Sequence, residues 1–133
     1  MRCTQKPAGV NAGAGGFGTV WPTGSERLDT STNNVEFEGH TRPSLVIAPL
    51  GLDNKISVYG STTADVVLDV LGVFVESGPT TAGRFEPLSP VRAFDSREPG
   101  DSEFAAGQTQ TIDLKTAGVP ADATGVVLNV TAI

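Results

Sequence analysis

One strand is written twice in this chain. Val66-Val67-Leu68-Asp69-Val70 and Val126-Val127-Leu128-Asn129-Val130 differ at a single position, Asp for Asn. Both copies are apolar and β-branched and contain neither Gly nor Pro, which is the composition of an extended segment packed on a pleated surface. A small chain that repeats a core strand is expected to be a β-protein of two related halves. The echo extends further on paper. Glu36-Phe37-Glu38-Gly39-His40-Thr41 aligns with Glu103-Phe104-Ala105-Ala106-Gly107-Gln108-Thr109, and Leu45-Val46-Ile47 then falls on Ile112-Asp113-Leu114.

The rest of the chain supplies short strands and many breakers. Gly (16) and Pro (9) are frequent, hydrophobic residues make up 38%, and no stretch keeps a 3.6-residue period over the roughly 11 residues a helix needs. Phe17-Gly18-Thr19-Val20-Trp21 reads as a strand stopped by Pro22. Val35-Glu36-Phe37 reads as a short one closed by Gly39. Leu45-Val46-Ile47-Ala48 lies between Pro43 and Pro49, which places it at a sheet edge. Gly51-Leu52-Asp53-Asn54 has turn chemistry, and Lys55-Ile56-Ser57-Val58-Tyr59 alternates at period two. After the long strand at 65–75, the segment 76–83 reads as a linker. Phe85, Leu88, Val91 and Phe94 mark a segment interrupted by Pro87 and Pro90, and Gln108 to Leu114 alternates with Ile112 and Leu114 on one face. The expected fold is all-β, sandwich-like or barrel-like and mostly antiparallel, with about eight to ten short strands. It forms a single domain over 1–133: a Gly-rich arm (1–16), a first half (17–75), the linker, and a second half (84–133).

Composition excludes several roles. Net charge is −6 and the nine Lys and Arg are scattered, so the clustered cations that displace phosphate counterions are missing and nucleic acid is not an expected partner. No apolar run approaches the roughly 20 residues of a membrane span, and the first residues lack the apolar core of a signal peptide, so a secreted parent would contribute this chain as a fragment. Cys3 is the single cysteine, which rules out an intrachain disulfide.

Five segments, taken in cyclic order, resemble a repeat of secreted actinobacterial proteins. Gly118 to Ala132 resembles its "GVPADA-x-AVVLNVTA" segment, Phe17 to Pro22 its "GF-x-TVWP", and Thr41 to Val46 its "TRPNLV". Thr63 to Phe74 resembles "TDVV-x-DV-x-GYF", and Pro90 to Arg97 resembles "P-x-R-x-x-DTR". The resemblance implies an extracellular or cell-surface parent and a repeat module that meets neighbouring repeats or copies of itself. The module order implied runs from the "DTR" segment through "VVLNVTA" to "GYF", so this chain is out of phase with it, and unpaired strand edges would promote self-association. The same order places the terminal strand inside a sheet beside Phe17–Trp21 of the same or a neighbouring chain. Relatives also carry Cys in "VWPCG" and "VCVY", where this chain has Thr23 and Ser57, as loss of a disulfide would leave it.

Few residues point to chemistry. Asp95 between Arg92 and Arg97 is expected to form an ion pair that locks a turn. The alternative is a calcium loop, in which Asp95, Glu98, Asp101 and Glu103 supply hard oxygen ligands; calcium is the one cofactor left open. His40 is the sole histidine and reads as a loop residue. With no Gly-x-Ser-x-Gly elbow and no visible nucleophile–base set, an enzyme is not expected. Trp21 and Tyr59 end predicted strands and are candidates either for packing or for stacking on a sugar ring, which would make a polysaccharide the ligand. Asp65 and Asp69 share a strand face whose partner the sequence leaves undecided. The expected function is a non-catalytic structural or adhesive module, with a carbohydrate-binding module as the alternative.

Overall fold

The computed structural model describes residues 15–37, 39–76 and 84–133. It is all-β, with two four-stranded antiparallel sheets packed face to face. The strands are β1 (Gly16–Pro22), β2 (Asn33–Val35), β3 (Arg42–Pro49), β4 (Lys55–Gly60), β5 (Val66–Val75), β6 (Phe85–Asp95), β7 (Gln108–Asp113) and β8 (Ala123–Ala132). The first sheet has the order β2-β1-β4-β7 and the second β3-β8-β5-β6. This is the sandwich rather than the barrel of the two expected forms. Single 3-10 turns at Leu52–Asn54 and Leu114–Ala117 are the helical pieces among the described residues, so none is long enough to cross a membrane. Cys3 and most of the Gly-rich arm and the linker lie outside the described residues; Gly16 opens β1 rather than closing an arm.

Period-two alternation builds the core. Val20 in β1, Ile56 and Val58 in β4, and Ile112 in β7 face Val46 and Ala48 in β3, Val66, Leu68, Val70 and Val73 in β5, and Val126, Leu128 and Val130 in β8. Leu114 and Phe104 close the side where β7 lies over β6. Asn33 ties the two sheets together at the opposite side: its Nδ2 donates to the carbonyls of Arg42 in β3 (2.8 Å) and Val130 in β8 (3.2 Å).

The repeated strands are β5 and β8, and they pair with each other. Leu68 stands opposite Val130, Asp69 opposite Asn129, and Val70 opposite Leu128. Exchanging each residue for its copy in the other strand reproduces the same pairs, so a pseudo-two-fold passes through the Asp69–Asn129 position. The symmetry extends to the neighbours. β3 lies on β8 as β6 lies on β5, and β4 pairs with β7. The related units are therefore β3-β4-β5 and β6-β7-β8, each giving its last strand to the first strand of the other. This corrects the alignment made on the sequence. β3 corresponds in position to β6, not to β7, and Phe37 and Phe104 are not equivalent, being 56% and 1% exposed. Among the described residues β1 and β2 have no counterpart.

Prolines mark both edges of the second sheet, as expected for β3 alone. β3 contains Pro43 and Pro49. β6, read as interrupted, is one continuous strand that carries Pro87 and Pro90 and two register shifts against β5. At the second shift Gly72 leaves room for the Phe85 ring that lies over it; a Cβ there would come within 2.5 Å of that ring and push it aside. The turn before β4 uses positive φ at Asp53 and Asn54, and Asn54 Nδ2 bonds Pro120 O at 2.8 Å.

The terminal strand β8 is central in its sheet, but its neighbours are β3 and β5, not β1, which belongs to the other sheet. The end of β8 and the start of β1 nevertheless converge on one segment. Ile133 exchanges both backbone hydrogen bonds with Asp65, while Phe17 O accepts from Ser61 N at 2.9 Å. A circularly permuted chain that joins Ile133 to Gly15 by a short linker and opens between Glu76 and Arg84 should therefore fold to the same sandwich. Retention of the far-ultraviolet spectrum with a cooperative melt is the expected result; an unfolded permutant would contradict this convergence.

Candidate functional site

The densest group of charged side chains lies on the outer face of the second sheet, where β5, β6 and the turn after β6 meet. Alternation puts Asp69 in β5 opposite Arg92 in β6, and Val67 opposite Asp95. Arg92 Nε donates to Asp69 Oδ1 at 2.6 Å and its Nη1 to Asp95 Oδ2 at 2.9 Å. Arg97 completes the group from the turn. Its Nε donates to Asp95 Oδ1 and its Nη2 to Asp95 Oδ2, both at 2.8 Å, and its backbone N–H reaches Oδ1 at 3.1 Å. Asp95 is buried, and both of its oxygens are occupied by arginine donors. The structure thus gathers Arg92, Asp95 and Arg97, and it gives Asp69 the cationic partner that the sequence left open.

The side-chain hydrogen bond from Arg97 is the main reason Asp95 is held down from its ordinary 3.8 to about 2. Burial opposes this, and the Arg97 amide and the two guanidinium charges reinforce it. Arg97 and Arg92 are raised in turn by their hydrogen bonds to Asp95 and Asp69. Ser96, which sequence reasoning passed over, closes the turn: its Oγ donates to Asp65 Oδ1 at 2.8 Å and accepts the Val66 N–H at 2.9 Å. A hydroxyl next to the central Asp of an Arg-flanked turn was the available signal.

The calcium alternative rests on Asp95, Glu98, Asp101 and Glu103. Asp95 turns its oxygens to the arginines, Glu98 and Asp101 are exposed beyond it, and among the described residues no three His, Cys, Asp or Glu side chains gather as a metal needs.

Trp21 and Tyr59 share the outer face of the first sheet, since Val20 and Val58 point inward. They are not an open aromatic platform. Residues 23–32 form a strap over this face. Trp21 Nε1 donates to Ser25 O (3.1 Å), Thr19 Oγ1 to Thr30 O (2.6 Å), and Thr32 Oγ1 accepts the Val20 N–H (3.1 Å). Trp21 is left 6% exposed and Thr19 fully buried, although both point away from the sandwich core. The Arg27 guanidinium sits 3.8 Å above the Tyr59 ring, and Phe17 lies 6.0 Å from Tyr59, ring centre to ring centre. His40 stacks on Phe37 at 4.7 Å and accepts the Glu36 N–H, holding the loop before β3.

At the end of the strap the hydroxyls of Thr23 and Ser57, the two positions singled out as lost cysteines, hydrogen-bond at 2.9 Å. Comparison with family models, with curated proteins and with solved structures finds no match to this chain.

Two measurements test this geometry. The folded pKa of Asp95 lies below its unfolded value, so its stabilisation is complete above about pH 4 and lost as pH falls through about 2. The unfolding free energy should drop by about 2 kcal/mol over that window. Asp95→Asn should flatten this acid limb and lower stability at pH 7 by about 2–3 kcal/mol, because two guanidinium groups lose their shared acceptor; equal acid limbs in the two proteins would refute the assignment. Separately, Thr23→Cys/Ser57→Cys should oxidise spontaneously to a bridge closing a 34-residue separation. The bridge should raise stability by about 3–4 kcal/mol and leave Cys3 as the one free thiol, with three free thiols after oxidation as the contrary result.

Proposed function

We propose that the chain is a non-catalytic structural or adhesive module of a secreted or surface-displayed bacterial protein, working through contact with neighbouring repeats or copies of itself. The observation that carries this reading is the charged cluster. The carboxylate most strongly perturbed there spends both oxygens on Arg92 and Arg97, and so clasps β5, β6 and the following turn rather than facing a cleft. A perturbed carboxylate is a mark of function where it is poised to move a proton; here its proton affinity is lowered by structural donors. The sequence resemblance to secreted repeats supports the extracellular setting. Thr23 and Ser57, the positions it pairs, are in hydrogen-bonding contact.

A second reading rests on the outer face of the first sheet. Tyr59 and Phe17 lie there with exposed Thr109 and Thr111 on the adjacent β7, a surface on which a sugar ring could stack if Arg27 swings off Tyr59. Pull-down with insoluble cellulose, chitin and peptidoglycan decides between the two. The structural reading expects the chain in the unbound fraction with each polymer. Saturable binding that disappears in a folded Tyr59→Ala variant would replace it with the carbohydrate-binding one.

A further inference from the structure

We propose that the outer edge of β7, which no strand covers among the described residues, is a self-pairing edge, at which two copies of this chain join antiparallel, β7 to β7, into one continuous sheet. The proposal rests on the structural reading above and names the surface through which copies meet. A sandwich has strand edges whose unpaired N–H and C=O groups would template another strand unless they are blunted. Three of the edges here are blunted. β2 has three residues, β3 has prolines at both ends of its span, and β6 has two prolines and two register shifts. β7 has six residues, no proline, no shift against β4, and no charge from Gln108 to Ile112.

The direction of its free groups follows from the bonds around β4. Lys55 O accepts from Thr23 N and Phe17 O from Ser61 N, so the odd-numbered residues of β4 turn their backbone groups to the β1 side. The even-numbered ones therefore face β7, and the same register runs on to Ala64 and Phe104, which exchange both hydrogen bonds. Ile56 and Val58 thus pair through Ile112 and Gln110, while Gly60 O takes the Gly107 N–H (2.8 Å) and the Gln108 N–H closes a turn on Ala105 O (3.0 Å). That leaves the N–H and C=O of Thr109 and Thr111 directed outward, on residues whose side chains are exposed, with the Thr111 carbonyl held only by a long 3.5 Å contact from the exposed Gln110 amide. The pseudo-two-fold supplies an independent argument. It maps the free edge of β7 onto the edge of β4 that already holds β1, so the same surroundings accommodate a strand in the other unit.

The occupant is the β7 of a second copy. A β1-type strand is not free to fill the edge, since each chain's β1 is already bound on β4. The chain carries −6, which opposes association through most of its surface, but Gln108 to Ile112 brings no charge to the contact. Antiparallel pairing about a two-fold sets the Thr109 and Thr111 groups of one copy against those of the other and keeps the two Asp113 carboxylates at opposite ends. This is the isologous, closed arrangement.

Sedimentation equilibrium of the full chain between about 10 µM and 1 mM, the range where a short edge contact dissociates, tests the proposal together with amide hydrogen exchange. The expected result is a reversible dimer whose formation slows exchange at Thr109 and Thr111 by about tenfold and leaves β3 amides unchanged. Thr109→Lys/Thr111→Lys, at two exposed positions, should weaken association at least about tenfold with the melting temperature retained. A chain that stays monomeric to 1 mM overturns the contact, as does a dimer that survives the lysine pair and protects β3 instead. The polysaccharide pull-down reports on the non-catalytic reading whatever the oligomeric state, so the two can fail separately.

Discussion

Asp69 and Asn129 face each other at the middle of the second sheet, and the strands that carry them set the position of almost everything else. β5 and β8 contribute Val66, Leu68, Val70, Val73, Val126, Leu128 and Val130 to the core, the largest share of any pair. Their mutual register fixes which residues point in, because a slip by one position would send all of them to solvent. β3 and β6 then take their places from the outer edges of this pair. The first sheet is laid over it through Ile56, Val58 and Ile112 and held at one side by Asn33.

The first sheet departs from the two-fold, and the departure accounts for its oddest feature. β1 and β2 lie on one side of β4, and among the described residues no matching pair lies beyond β7. β1 brings Trp21 and Thr19 to an outer face that water would otherwise reach. A large indole there is disfavoured unless covered. The polar stretch between β1 and β2 does the covering, using carbonyls at Ser25 and Thr30 to satisfy the indole N–H and the Thr19 hydroxyl. The strap is thus a consequence of where the aromatic side chains fall.

The strands and the fold class were legible because they depend on local signals: β-branched runs, period two, and breakers at their ends. Edge prolines identified β3 by the same logic. Strand partners were not legible. β3 and β7 are both short apolar-polar segments followed by a glycine, and composition cannot say that one lies beside β8 and the other beside β4. The Arg92–Asp95–Arg97 group could be read because its members are within six residues of one another. The role of Asp69 could not, since its partner Arg92 comes from another strand, 23 positions away. Trp21 was ambiguous for a different reason: it is covered by the segment that follows its own strand, and the folding back of a polar loop leaves no trace in the strand itself.

The single difference between the two copies of the central strand has a physical cause. On the β6 side the cross-strand neighbour of Asp69 is Arg92, so a carboxylate there gains a charged hydrogen bond at 2.6 Å. On the β3 side the neighbour of Asn129 is Leu45, which offers nothing to an anion. An aspartate at 129 would stand opposite Asp69 and next to an apolar residue, with like charges facing each other across the strand pair. Asn129 avoids that repulsion and bonds Thr131 Oγ1 at 3.3 Å instead. The substitution also opposes the wrong assembly. If β3 and β6 exchanged places, Arg92 would meet an amide and keep only Asp95 of its own strand, and Asp69 would meet Leu45 and lose its cation. In two strands otherwise alike over five residues, one carboxylate decides which edge strand each side accepts.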